Sequence, residues 1–188
     1  MYGKKKVFMD TEFTGLHKDT SLISIGLVSE DGKKFYAELT DYKKDQVDDW
    51  IQENVLDKLQ MDLLPDESVL INGDVWNVKG NTETVKRVLT DWFMQFGDVI
   101  IWSDCLSYDW VLFNHIFGHA FNIPKNVYYI PMDICTMFDL NGIDPDISRE
   151  EYAEIEEKDR AKHNALYDAI VIMACYKKLE YHMFASKF

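Results

Sequence analysis

The link between the first two apolar runs is too short for them to lie parallel, and no other feature constrains the fold as much. Val7 to Phe13 and Leu22 to Ser29 both read as strands, and only Thr14 to Ser21 joins them. A parallel crossover needs about a dozen residues or more, so this pair is antiparallel. A third run, Lys33 to Thr40, follows Glu30-Asp31-Gly32. Asp-Gly between apolar runs is a strong hairpin signal. The first forty residues therefore predict a three-stranded meander.

Beyond the meander the period of the pattern becomes helical. Val47, Ile51, Val55, Leu56 and Leu59 recur at helical spacing, and so do Val85, Val88, Leu89, Trp92 and Phe96. Pro65 to Gly80, between them, reads as loop with room for a short element. Asp98 to Ser103 reads as a buried strand, Asp109 to Phe121 as a helix, and Val127 to Ile130 as a short strand closed by Pro131. Strand, helix and strand in that order make a right-handed parallel unit. Two further helices follow, near Ser148 to Arg160 and Asn164 to Tyr181. The expected class is α/β, with a mixed five-stranded sheet, an antiparallel meander and then parallel strands, flanked by helices. There is no internal repeat, low-complexity tract or linker-like stretch, so residues 1–188 read as a single domain.

Composition narrows the function classes. The chain is 47% hydrophobic, which argues against disorder. No apolar run approaches the roughly 18 residues of a membrane span. Asp10 and Glu12 interrupt the N-terminal region before a secretory signal could form. Cys105, Cys135 and Cys175 make no CxxC and are too few for a disulfide framework, so they read as reduced thiols of a cytoplasmic protein. With 33 acidic and 20 basic residues the net charge is −13. That opposes a broad nucleic-acid-coating role, which depends on Lys and Arg displacing counterions from phosphates. It does not exclude an enzyme that gathers carboxylates around divalent cations, because bound metal reverses the local sign.

The acids fall in three places. Asp10 and Glu12 stand two apart in the first strand. They therefore share a face, about 6.6 Å apart along the backbone at roughly 3.3 Å per residue. Two carboxylates so placed can lean onto one cation; alone, the same pattern also suits the polar side of an edge strand. Asp109 follows the Asp98–Ser103 strand and lies in the first turn of a helix for which Ser107 is a candidate N-cap. Ligands of open α/β sheets gather beyond the carboxyl ends of strands, although an acid there also simply favours the helix dipole. His163 and Asp168 are five apart, about 500° on a continuous helix at 3.6 residues per turn, and so would point apart. They converge if Asn164 caps the last helix and His163 lies on the incoming loop. A histidine beside such acids suits a general base, its unperturbed pKa being about 6.5.

Several other patterns carry no site. His115 and His119 stand four apart without a third ligand at recognised spacing. Asp144-Pro145-Asp146 begins like a calcium loop but has Arg149 where the turn needs Gly. There is no GxxxxGK and no GxGxxG. Trp92, Trp102 and Trp110 read as core residues.

The order of these elements carries a resemblance. Asp-Thr-Glu-Phe-Thr-Gly-Leu on the first strand, Tyr108-Asp109 opening a helix, and His-Asn-Ala-Leu-Tyr-Asp-Ala before the last helix resemble the DEDDh 3′–5′ exonuclease family. That group includes proofreading exonucleases, RNase T and oligoribonuclease. The run from Leu22 to Ala37 looks particularly like the small bacterial exoribonucleases first described from mycobacteria. One departure is Cys105, where many members carry Asn; Asp104 precedes it.

The resemblance implies an RNase H-like fold and a hydrolase that removes nucleoside 5′-monophosphates from the 3′ end of single-stranded RNA or DNA. It implies Asp10, Glu12, Asp109 and Asp168 as acids holding two divalent cations, Mg²⁺ or Mn²⁺, and His163 as the base. It places Phe13, Thr14 and Leu16 near the terminal nucleotide, and a homodimer is common among similar small exoribonucleases. Arg160 and Lys162, next to His163, are candidate phosphate contacts. RNA versus DNA stays open, and a non-catalytic binding module on the same fold is the competing reading.

Overall fold

The expected meander is present in the computed structural model, which describes residues 3–156 and 161–185. β1 (Lys5–Phe13) pairs antiparallel with β2 (Leu22–Ser29), and β2 with β3 (Lys34–Leu39). The short link closes with the Thr14 N–H donating to the Ser21 carbonyl at 3.0 Å. Every residue of β2 is buried, as befits a central strand covered on both faces.

The sheet then grows at both edges, to seven strands rather than five. β4 (Ser68–Asn72) and β5 (Val75–Gly80) form a hairpin inside the stretch that the sequence reads as loop. Its signal is Gly73-Asp74 between two β-type runs, a two-residue hairpin turn in which Gly73 takes a φ of 57°. β5 lies parallel to β3. At the other edge β6 (Val99–Ser103) lies parallel to β1, and β7 (Met132–Asp133) parallel to β6. β7 sits after Pro131 rather than before it. The Val127–Ile130 segment contributes only one bridge, Val127 to Val99. β7 stops after two residues because Asp133 turns to cap the next helix, accepting the Cys135 N–H at 2.9 Å. The order is β4-β5-β3-β2-β1-β6-β7. Its β3-to-β7 part, antiparallel and then parallel, is the RNase H-like layout that the resemblance implies.

The helices keep their expected places but not all their bounds. α1 (Asp49–Asn54) is capped by Asp48 and followed by a 3₁₀ turn at Leu56–Lys58. α2 (Thr82–Phe93) buries Val85, Val88, Leu89 and Trp92, as the spacing predicts. α3 (Leu106–Ile116) begins before Asp109, so Ser107 lies inside it and Cys105 stands at the N-cap without a side-chain bond. α4 (Ile134–Leu140) has no counterpart in the sequence reading. α5 (Arg149–Tyr152), capped by Ser148, is one turn of the longer helix expected there, and Arg160 lies outside the described residues. α6 (Ala165–Ala185) is the last. No helix among the described residues is long and apolar enough to cross a membrane.

Two cores sandwich the sheet. Val7 and Met9 of β1 pack with Leu89 and Trp92 of α2 and Leu112 and Phe113 of α3. Phe8 packs on the opposite face with Ile134 and Phe138 of α4 and Ile172 and Tyr176 of α6. Strand alternation therefore puts Asp10 and Glu12 on the Phe8 side, towards α6. Fully burying a large apolar side chain contributes about 1.5–3 kcal/mol. A one-residue slip of β1 would swap the residues facing the two layers and bury the two acids among α2 and α3, so the register is strongly specified.

Candidate active site

The facing stripes of β1 and α6 are each apolar and buried at one end, acidic and half-buried at the other. On β1 the stripe runs Phe8, Asp10, Glu12; on α6 it runs Asp168, Ile172, Cys175, Tyr176, Leu179. Packing Phe8 against Tyr176, ring centroids 5.3 Å apart, sets Asp168 opposite the two β1 acids. Carboxylate oxygens of Asp10, Glu12 and Asp168 lie within 4.8 Å of one another. Gly26 makes this approach possible. It pairs with Asp10 in the ladder, and a Cβ there would lie 2.2 Å from the backbone nitrogen of Leu166. A bulge between Glu12 and Phe13 ends the regular ladder just past the second acid, and bulges re-aim side chains at such places.

Asp109 reaches the same place from α3, in the opposite layer. It is fully buried. Its Oδ1 accepts the Thr11 hydroxyl at 2.5 Å and its Oδ2 accepts the Ser103 hydroxyl. Asp10, Asp104 and Asp109 form a second group with oxygens within 4.8 Å, so Asp10 belongs to both groups. Asp104 has no spacing signal in the sequence beyond its place beside Cys105. Its Oδ2 pairs with Arg149 Nε at 3.1 Å, a contact 45 residues apart in the chain.

His163 lies just outside α6, as the capping argument requires. Asn164 Oδ1 accepts the Tyr167 N–H at 3.1 Å. His163 adopts a left-handed φ of 63°, and its backbone N–H donates to Asp168 Oδ2 at 3.0 Å. This bond ties the histidine's loop to the acid beside it. The imidazole meets the ring of Trp50 edge-on, centroids 5.2 Å apart. Burial, and then the Lys162 charge, push the imidazole below its usual pKa, while Glu150 opposes them. His163 is therefore neutral at neutral pH and free to accept a proton.

The carboxylates are pushed the other way. Burial is the largest cause throughout, and mutual repulsion adds to it. Asp10 stands well above the usual carboxylate range. Glu12 is raised to about 8, with Asp168 and Asp109 adding to burial. Asp109 is raised to about 7 by burial although the Ser103 and Thr11 hydroxyls favour its charge. Asp168 is raised to about 7 by burial, Asp104 and Glu150, against the His163 N–H. Buried like charges are costly without compensation. Among the described residues, no cationic side chain is ion-paired with any of these four acids, whereas Asp104 beside them pairs with Arg149. An all-oxygen, uncompensated donor set of this kind fits hard divalent cations such as Mg²⁺ or Mn²⁺.

Asp10, Glu12, Asp104, Asp168 and His163 border a cleft of about 710 Å³, within the ~300–1,000 Å³ of small-ligand sites, and Asp109 lies buried behind its wall. Phe13, Thr14 and Leu16 also line it, in different states. Phe13 stacks on Tyr108 at 5.2 Å and packs against the core. Thr14 is buried, its hydroxyl donating to Gln46 Oε1 at 2.5 Å and accepting the Ser21 N–H at 2.9 Å. Leu16 is 74% exposed at the rim. Trp50, 55% exposed, is a further aromatic in the wall that the sequence reading does not single out. Its position in a helical pattern carries no mark of a site. His115 and His119 join no candidate metal group among the described residues, and His119 instead caps a turn by accepting the Phe121 N–H.

An α/β sheet that gathers buried and half-buried carboxylates from both helical layers at the carboxyl ends of β1 and β6, with a histidine beside them, defines an acid-cluster nuclease. The chain belongs to the family described as the 3'-5' exoribonuclease Rv2179c-like domain, whose model matches residues 5–179. It is similar to two curated relatives from Mycobacterium tuberculosis, the 3'-5' exoribonucleases MT2234.1 (strain CDC 1551 / Oshkosh) and Rv2179c (strain H37Rv). Each is 25% identical over 166 residues, covering 87% of this chain and 86% of the relative. Among solved structures, the catalytic unit of Neurospora crassa Pan2 (protease and nuclease domain) is 20% identical with a TM-score of 0.48, covering 97% of this chain and 28% of that chain.

Proposed function

We propose that this chain is a metal-dependent 3′–5′ exonuclease that hydrolyses single-stranded RNA from its 3′ end, with residues 1–188 as a single domain. The observation that carries this reading is the pair of carboxylate groups sharing Asp10, with His163 hydrogen-bonded to Asp168 in the same cleft. Asp10, Glu12 and Asp168 would hold one divalent cation, and Asp10 and Asp109 would face a second. Bound there, the cations would neutralise the phosphodiester and stabilise both the attacking and leaving oxygens. His163 takes the proton from the attacking water. The bond to the 3′ oxygen breaks, releasing a nucleoside 5′-monophosphate and a chain one nucleotide shorter. Leu16 at the rim and Trp50 in the wall offer apolar and aromatic surface to the terminal base. The preference for RNA rests on the names of the mycobacterial relatives.

The test uses 5′-labelled single-stranded RNA and DNA oligonucleotides with free 3′ hydroxyls, incubated in Mg²⁺, Mn²⁺ or EDTA. The expected result is a metal-dependent ladder on RNA, shrinking one nucleotide at a time and absent in Asp10→Ala. A ladder on DNA alone would make the substrate DNA. No degradation of either strand in either metal would overturn the catalytic reading in favour of a binding module.

A further inference from the structure

We infer that Asp104 is a fifth acid of the cation site, directed there by Arg149. The inference rests on the metal-dependent reading above and adds two residues that its motifs do not contain. Asp104 places a carboxylate oxygen within 4.8 Å of oxygens from Asp10 and Asp109, at the end of β6. Of the acids in that group, Asp10 also serves the Glu12–Asp168 side, and both oxygens of Asp109 already accept hydroxyls, from Thr11 and Ser103. Asp104 belongs to this group alone, and among the described residues its single side-chain hydrogen bond is to Arg149 through Oδ2.

The way Arg149 holds it supports the same role. An arginine that merely neutralised Asp104 would favour the two-pronged fork, the strongest arrangement for a carboxylate. Here the contact is a single one, Nε to Oδ2 at 3.1 Å. The other nitrogens of the guanidinium are taken by neutral groups: the Pro145 carbonyl at 2.9 Å, the Ile147 carbonyl at 2.5 Å and the Cys135 sulfur at 2.9 Å. The ring of Phe138 lies beneath it at 5.2 Å. Arg149 is therefore anchored by α4 and the turn before α5, and it holds one carboxylate oxygen, Oδ2. A carboxylate has two oxygens, so the second stays available to the cluster. An outer partner that fixes one atom of a side chain and leaves another for a cation is how metal ligands are oriented. Asp104 is the proposed ligand, and Arg149 is a positioning residue.

Calorimetric titration of the full chain with Mn²⁺, in the presence of adenosine 5′-monophosphate, tests this without relying on turnover. The wild type is expected to bind two ions. Asp104→Asn, which keeps an acceptor for Arg149, should bind one of them with unchanged affinity and the other about tenfold or more weakly. Arg149→Lys should weaken that same ion, whereas Asp139→Asn, which removes an exposed acid of α4, should change neither. Asp104→Glu guards against a folding artefact: it retains the charge and should weaken the same ion while melting like the wild type without metal. Wild-type affinities for every bound ion in a folded Asp104→Asn protein would overturn the inference and leave the proposed function standing. A wild type that binds no Mn²⁺ would sink both.

Discussion

At the scale of single residues, the proposed mechanism asks one group to move a proton and the others to hold charge. His163 contributes its backbone N–H to Asp168, so replacing its side chain leaves that bond in place. His163→Ala is expected to lower kcat by about 10²–10⁴-fold, the usual contribution of a general base. Mn²⁺ affinity, read by calorimetry, should stay near wild type; an unchanged kcat would remove His163 from the mechanism. Trp50 stands half exposed with its ring against the imidazole. Stacking of a base on an aromatic side chain is worth about 1–3 kcal/mol. Trp50→Ala should therefore raise KM for oligonucleotides about fivefold or more, and an unchanged KM would place the substrate elsewhere.

At the scale of elements, the site depends on how closely α6 approaches the sheet. The start of α6 sits on Gly26, the residue opposite Asp10, and that contact carries Asp168 to the β1 acids. Gly26→Ala would push a methyl group into the Ala165–Leu166 backbone, which has no side-chain freedom to yield. Overpacking of this kind costs about 1–3 kcal/mol. The expected outcome is a lower melting temperature together with weaker Mn²⁺ binding. Gly97→Ala is the matching control, since a Cβ there meets nothing within 4 Å. Equal melting temperatures for the two variants would show that α6 can slide without loss.

For the whole molecule, the clustered acids set a stability slope with pH. Glu12 titrates at about 8, and Asp109 and Asp168 at about 7, in the folded chain. In the unfolded chain such groups titrate near ~4. Between those values the folded state binds more protons than the unfolded one, so stability falls as pH rises. Without divalent cations, the melting temperature is expected to rise as pH is lowered from about 9 to about 5. Saturating Mg²⁺ or Mn²⁺ should raise it most at the alkaline end and flatten the slope, because a ligand that binds only the folded state stabilises it. A metal-free protein whose stability is flat from pH 5 to 9 would contradict the burial of these carboxylates.

What the sequence determines by itself is whatever depends on neighbours a few residues away. The eight-residue link and Asp31-Gly32 dictate the meander. Alternation along β1 places Asp10 and Glu12 together. Asn164 ends the helix where His163 must leave it. The β4–β5 hairpin was legible in the same way, through Gly73-Asp74, whereas β7 was not, because its two residues are selected by pairing with β6 and by the cap of α4. Only the tertiary structure decides which distant groups meet: Asp104 with Arg149, Trp50 with His163, and Gly26 with the start of α6. Those contacts arise when two helical layers close on one sheet, and the energy that closes them comes from apolar burial, which is non-directional and leaves no spacing in the chain to read.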